Sequence, residues 1–199
     1  MILEGLVTST DATGLLNIAP MGPFFSGDSL ALDWDRFELR PYQSSKTLAN
    51  LRQHPEGVFH LVDDALLLAQ AAIGRIDPMP ESRPGATIQG WVLTGACRAY
   101  EFRVVSRDEG EQRVRLKAEV VTKHSLREML GLNRGIHAVL EAAILATRVH
   151  LLGRESILEE YRKLATLVEK TGSPREIRAF TMLDQHVRSF SVPSKDEGF

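Results

Sequence analysis

The chain has 199 residues, of which 43% are hydrophobic and 25% are charged, and its formal net charge is −2. This length is sufficient for one sizeable core, or for one domain with a helical annex. The near-zero charge gives no support to a nucleic-acid-binding protein, which presents a clear excess of Lys and Arg. The single cysteine, Cys97, excludes an internal disulfide and a cysteine-rich zinc site, and we expect a cytoplasmic protein.

We also expect neither export nor membrane insertion. The N-terminus has no basic segment followed by an apolar stretch, as a signal peptide would have. The longest apolar run, residues 65–73, is interrupted by Gln70 and is far too short to cross a bilayer.

Strand signals dominate the first part of the chain. Near its end, Val114, Leu116 and Ala118 alternate with charged residues, which predicts a half-buried antiparallel strand that pairs with the strand before it. Residues 77–86 contain three prolines and a glycine and are expected to form a loop. The predicted strands are residues 2–8, 15–18, 30–34, 36–40, 58–62, 90–106 and 113–122, and the predicted short helices are residues 44–52 and 63–73.

The last third of the chain has helical periodicity. Its apolar spacing predicts helices over residues 136–152, 155–170 and 174–190. Ser173 is the expected cap of the third helix, with Pro174 at its first position. Strands followed by helices, without β-α-β alternation, predict an α+β fold.

The residues that often carry catalysis form no recognisable motif here. No two of the six histidines are three or four positions apart, so a metal site would have to be assembled by tertiary contacts, and we expect none. Cys97 lies in a strand pattern beside Ala96 and Ala99, which is typical of a small core residue. The chain has no Gly-x-Ser-x-Gly segment.

One strand end has a backbone suited to a ligand. Asn17 lies in the predicted strand of residues 15–18, and the residues that follow it, 19–23, contain two prolines and a glycine and cannot continue a helix or a central strand. Backbone groups left unpaired in such a segment suit the polar edge of a flat heterocycle. The candidate residues are Asn17, Ala19, Pro20 and Met21.

A helix start further along the chain suits a phosphate monoester. Hydroxyls, an ammonium and free backbone N–H groups meet at this position, and all of them favour an anion. The alternative is that the serines only cap the helix and the lysine is solvated. The candidate residues are Ser44, Ser45, Lys46 and Thr47.

Together these motifs resemble those of the flavin-binding split-barrel group. Residues 17–22, then Lys46-Thr47-x-x-Asn50-Leu51, then a buried strand ending in Asp63-Asp64, occur in the order found in flavin reductases of that group. Over nearly its full length the chain resembles the domain of unknown function 447 family. Residues 131–135 and 141–148 resemble that family's second signature.

The resemblance implies an antiparallel, six-stranded split β-barrel of the FMN-binding type with a C-terminal helical region. We assign the split-barrel domain to residues 1–130 and a helical subdomain packed on it to residues 131–190. The polar residues 191–199 are expected to form a flexible tail. The resemblance also implies a homodimer with FMN at the interface. The alignment of motifs assigns the phosphate to residues 44–47 and the isoalloxazine to residues 17–21.

Three further residues are implied to contact the flavin. Arg40, at a strand end, is a candidate for a phosphate or ring contact. Asn133 and Arg134, just before a helix, are candidates for contacts to the flavin of either subunit, although a helix cap and a surface arginine would explain them equally well.

The resemblance leaves several functions open. One is a flavin-dependent oxidoreductase, linked to tetrahydromethanopterin one-carbon metabolism. The others are a non-catalytic FMN carrier and a split-barrel interaction protein with an empty pocket. No carboxylate pair or histidine-centred relay identifies a catalytic residue in the sequence.

Overall fold

The computed structural model of the chain describes residues 1–190, which form two compact units. The first unit contains residues 1–63 and 78–129, and the second contains residues 64–77 and, within the described chain, residues 130–190. Residues 64–77, which fall within the range expected to form the barrel, therefore group with the C-terminal helices. The expected flexible tail, residues 191–199, lies outside the described residues.

The described elements follow the order of an α+β protein. The strands are β1 (Leu6–Thr10), β2 (Leu16–Pro20), β3 (Arg36–Leu39), β4 (Glu56–Leu61), β5 (Ser82–Pro84), β6 (Trp91–Leu93), β7 (Arg98–Asp108) and β8 (Arg115–Ser125). The helices are α1 (Lys46–Gln53), α2 (Ala65–Ala72), α3 (Arg134–Ala146), α4 (Val149–Leu152), α5 (Arg154–Thr171) and α6 (Pro174–Ser189).

The first unit is a split β-barrel. Its six-stranded antiparallel sheet has the order β2-β1-β4-β7-β8-β3, and β5 and β6 form a separate hairpin. Phe24 bridges Ile2 on one side and Glu38 of β3 on the other, which draws the two sides of the sheet together. Inside lies an apolar cluster in which the rings of Phe25, Phe37, Phe59 and Phe102 are in contact and Trp34 stacks on Tyr100.

The hairpin of β7 and β8 confirms the predicted alternation. Val114, Leu116 and Ala118 are buried, whereas Lys117 and Glu119 between and beside them are exposed. The apolar side of β8 therefore faces the barrel core, and the charged side faces away from it.

Two strand predictions were wrong. Residues 30–34 form turns, because the carboxylates of Asp28 and Asp33 accept backbone N–H groups of Leu30 and Asp35 and thereby replace strand pairing. The predicted strand over residues 90–106 is broken between β6 and β7 by a turn over residues 94–97. The predicted loop over residues 77–86 contains the short strand β5, which pairs with β6.

The second unit is helical, with α2, α3, α5 and α6 packed around one apolar cluster. The buried side of α3 consists mainly of alanines, so helix backbones approach closely there. The predicted helix over residues 136–152 divides after Ala146 into α3 and α4, and Thr147, which lies at the break, is exposed. Ser173 and Pro174 begin α6 as predicted, and Glu176 completes a capping box.

Candidate cofactor site

A hydrogen bond joins the two motifs that the sequence assigns to one site. Asn17 of β2 faces the start of α1, and its Nδ2 donates to Thr47 Oγ1 at 3.2 Å and to Ser9 Oγ at 3.3 Å. Ser9 also accepts from Asn50 Nδ2 at 3.0 Å. Ser9, Thr47 and Asn50 are buried. This polar cluster holds the beginning of α1 against β1 and β2.

The first turn of α1 presents hydrogen-bond donors that the protein itself does not use. Ser45 Oγ accepts the Leu48 N–H at 3.2 Å, and Thr47 Oγ1 accepts from Asn17, so each hydroxyl still has its proton to donate. Within residues 1–190 the backbone N–H groups of Lys46 and Thr47 have no acceptor, as is usual at a helix start.

The charge at this position favours an anion. Lys46 is exposed, and its ammonium forms no hydrogen bond or ion pair with the residues that the structure describes. No acidic residue lies in the first turn of α1. Ser44 is exposed in the turn just before the helix. This set of donors fits a dianionic group such as a phosphate monoester.

Asp11 is an acidic residue whose charge interacts with that of Lys46. The Thr13 hydroxyl and the Leu15 amide hold the pKa of Asp11 below its ordinary value, and the Lys46 ammonium lowers it further by a smaller amount. Asp11 also lines an open cleft of about 500 Å³ between the β1–β2 turn, His54 and residues 88–91. A ligand at the start of α1 would therefore have one carboxylate in its neighbourhood.

The end of β2 is less irregular than the sequence suggests. Ala19 pairs with Val7, and the Met21 N–H donates to the Gly5 carbonyl at 3.0 Å, so the amide of Met21 is used within the sheet. Pro20 is exposed and has no N–H. Because β2 is an outer strand of the described sheet, one of its edges has no strand neighbour among residues 1–190.

Arg40 is held by neighbouring side chains. Its Nε donates to Glu38 Oε1 at 2.5 Å, and its guanidinium lies 3.8 Å from the centroid of the Phe24 ring. Its carbonyl accepts from Arg113, whose guanidinium stacks on Tyr42. Only the terminal nitrogens of Arg40 have no hydrogen bond within the described part of the chain.

Asn133 and Arg134 lie in the helical unit. Asn133 caps α3, because its Oδ1 accepts the Ile136 N–H at 3.0 Å while its Nδ2 donates to the Thr171 carbonyl at 3.0 Å. Arg134 is the first residue of α3 and is exposed. The side chain of Asn133 is thus engaged in a helix cap.

A second polar cluster, which sequence reasoning missed, lies on the outer side of the sheet. Glu101 of β7 is fully buried and accepts the backbone N–H groups of Ala86, Thr87 and Ile88 at 2.6–3.2 Å. Burial acts to raise the pKa of Glu101, but the amides of Ala86 and Thr87 and the His124 side chain hold it below its ordinary value.

His124 links Glu101 to the β5–β6 hairpin. Its Nε2 lies 2.7 Å from Glu101 Oε1, and its Nδ1 lies 3.2 Å from Arg83 Nη2. Because arginine can only donate, Nδ1 is the acceptor and Nε2 carries the proton. Glu101 thereby ties residues 86–88 to the sheet, and His124 ties Arg83 to the same cluster.

The described residues contain neither a membrane-spanning helix nor a metal-binding cluster. Over residues 1–190, no helix is long and apolar enough to cross a membrane. Over the same residues, no group of three or more His, Cys, Asp or Glu side chains could hold a metal ion.

Comparison with protein families gives a match to both parts of the chain. The N-terminal model of the family described as protein of unknown function DUF447 matches residues 3–127, and its C-terminal model matches residues 133–185. A crystal structure of an FMN-bound protein of that family from Methanosarcina mazei superposes with a TM-score of 0.78 at 24% identity, covering 93% of this chain and 94% of that one.

Two further solved structures share the barrel. A 2-nitrobenzoate 2-nitroreductase from Pseudomonas fluorescens has a TM-score of 0.50 at 23% identity, covering 61% of this chain and 64% of that one. A flavoredoxin from Methanosarcina acetivorans has a TM-score of 0.51 at 14% identity, covering 67% of this chain and 73% of that one. At these identities the likeness establishes the fold, a flavin reductase-like split barrel with a C-terminal helical region.

Proposed function

Since the chain belongs to the DUF447 family, we propose that it is an FMN-binding flavoprotein. The observation that carries the proposal is the hydrogen bond between Asn17 and Thr47, which joins the two motifs assigned to the flavin. The similarity to an FMN-bound protein over most of both chains supports it.

In this proposal the start of α1 holds the phosphate. Lys46 supplies a charge-assisted bond, and its backbone N–H and that of Thr47 add two donors along the helix axis. The hydroxyls of Ser44, Ser45 and Thr47 donate their free protons. Because these groups are donors and the first turn of α1 has no acid, they bind a dianion better than a neutral ligand.

The rest of the flavin is assigned to the exposed part of β2. Ala19, Pro20 and Met21 lie along the isoalloxazine in this proposal, with Pro20 as an apolar surface and the outer backbone edge of β2 as the polar contact. Arg40 contributes through its terminal nitrogens, and Arg134 is a candidate for an additional contact. When bound, FMN supplies hydride-transfer and one-electron chemistry.

We further propose that the protein is a flavin-dependent oxidoreductase that acts on a one-carbon carrier of the tetrahydromethanopterin type. Support comes from the fold, which it shares with a nitroreductase and a flavoredoxin. Oxidation of NADH or NADPH in the presence of FMN tests this activity. A protein that binds FMN but oxidises neither nucleotide would be an FMN carrier instead.

We also propose a cytoplasmic homodimer with FMN at the subunit interface. The physical support is that β2 is an outer strand of the described sheet, and a second copy can cover its free edge. Sedimentation at micromolar concentration should give a dimer, and a monomer would contradict a shared site.

The phosphate assignment is tested by replacing its charge. Lys46→Ala should weaken the binding of FMN by about 1–3 kcal/mol, which is the scale of a charge-assisted hydrogen bond. Lys117→Ala, at an exposed position of β8, is the matched control and should leave the affinity unchanged. Equal FMN affinity in Lys46→Ala and wild type, measured by fluorescence titration, would show that the phosphate lies elsewhere.

A further inference from the structure

The amide of Asn17 is directed into the protein rather than toward a ligand. Its Nδ2 has two hydrogens, and the structure uses both, one on Ser9 Oγ and one on Thr47 Oγ1. Asn17 can therefore offer no N–H to a cofactor. Its side-chain N–H groups can therefore act on a ligand only through the two hydroxyls that they contact.

The contact with Thr47 determines what the Thr47 hydroxyl can do. Because Thr47 Oγ1 accepts the Asn17 N–H, the hydroxyl proton of Thr47 is still available to be donated. Within residues 1–190 that proton has no acceptor. Thr47 is buried, so bulk water does not readily satisfy it. A phosphate at the start of α1 would be its natural acceptor.

Asn17 is itself held in place by two buried residues. Ser9 Oγ accepts from Asn17 on one side and from Asn50 Nδ2 on the other, and Asn50 lies one helical turn after Thr47 on α1. The bonds form a chain from Asn50 through Ser9 and Asn17 back to Thr47. Each N–H in the chain donates to a hydroxyl, so the direction of the last bond is fixed.

We propose that Ser9, Asn17 and Asn50 are positioning residues for the phosphate site. They keep Thr47 Oγ1 as an acceptor toward the protein, so that its proton is presented to the phosphate of the flavin. This inference rests on the proposed FMN binding. It adds Ser9 and Asn50 to the site and gives Asn17 an indirect role.

The test compares FMN with riboflavin, which lacks the phosphate. In fluorescence titrations, Ser9→Ala should lower the affinity for FMN about tenfold and leave that for riboflavin unchanged. Thr8→Val is the matched control, because Thr8 is a buried neighbour on β1 whose hydroxyl donates to the Trp91 carbonyl at 2.7 Å. It should change neither affinity.

A double-mutant cycle separates positioning from general destabilisation. In a Thr47→Val background, which has no hydroxyl to position, Ser9→Ala should cause no further loss of FMN affinity. Thr47→Ser should retain most of the affinity for FMN. Should Ser9→Ala fail to fold, Asn50→Ala, which places a favourable helix residue on α1, takes its place with the same expected result.

Different outcomes refute different statements. A wild-type protein that binds neither flavin refutes the proposed function, and one that binds both equally refutes the phosphate site. Suppose that wild type prefers FMN. If Ser9→Ala then lowers the affinities for FMN and riboflavin equally, or lowers neither affinity, the positioning role is wrong. The positioning role is also wrong if Ser9→Ala lowers the FMN affinity by the same factor in wild type and in the Thr47→Val variant.

Discussion

His60 should make the stability of the barrel depend on pH. It is fully buried on β4, where Nε2 accepts the Leu93 N–H at 3.0 Å and Nδ1 lies 3.3 Å from the Leu6 carbonyl. Nε2 must therefore be unprotonated, and Nδ1 carries the proton. Burial lowers the pKa of His60 from 6.5 to about 4.

The direction and size of the effect follow from this difference. Between pH 6.5 and about pH 4, the unfolded chain binds a proton at His60 that the folded chain does not bind. The stabilising contribution of neutral His60 is therefore complete above pH 6.5 and is lost as the pH falls toward 4. At 1.36 kcal/mol per pH unit, the loss is about 3 kcal/mol.

The assay is urea unfolding followed by tryptophan fluorescence between pH 4 and pH 8. Both tryptophans, Trp34 and Trp91, lie in the barrel unit, so the signal reports on that unit. His60→Gln should be less stable at pH 7 but should lose about 3 kcal/mol less on acidification than wild type. His150→Gln, at an exposed position of α4, is the control. Equal pH dependence in wild type and His60→Gln would show that His60 does not cause the loss of stability at low pH.

Three other substitutions test the packing. Urea unfolding is followed by tryptophan fluorescence for the barrel unit and by circular dichroism for the helical unit. Glu101→Ala leaves three amides and His124 without their acceptor and should destabilise the barrel by about 3–5 kcal/mol. Gly5→Ala places a Cβ 2.6 Å from Phe59 Cε2 and should lower stability by about 1–3 kcal/mol, whereas Gly95→Ala, with open space around it, should not. Ser173→Ala removes the cap of α6 and should reduce the stability of the helical unit by about 1 kcal/mol. An unchanged unfolding midpoint in any of these three variants would contradict the contact on which its prediction rests.

Features set by neighbouring residues could be predicted from the sequence. Ser45 and Ser173 begin helices because a hydroxyl followed by a helical pattern can satisfy a free amide locally. The burial of Val114 and Leu116 follows from strict alternation along β8. Residues 30–34 were misassigned because the apolar pattern there resembles a strand, whereas the side chains of Asp28 and Asp33 make local turns.

Features that depend on tertiary contacts could not be predicted. The cluster around Glu101 requires residues 86–88 to fold over β7, and no local pattern indicates this. The candidate site was located by motif resemblance, but the role of Ser9 depends on the register of β1 with β2 and on the placement of α1. A role for Asn50 in the site could have been predicted from the sequence, because Asn50 belongs to the motif that begins at Lys46.

The central claim is that this protein carries FMN, and the most direct measurement is the identity of any ligand that it releases. The purified protein should be denatured with acid, and the supernatant analysed by absorbance and mass. We expect the flavin spectrum and the mass of FMN or, for a preparation that has lost its ligand, a change in FMN fluorescence on titration. A colourless protein that leaves FMN fluorescence unchanged would contradict the claim.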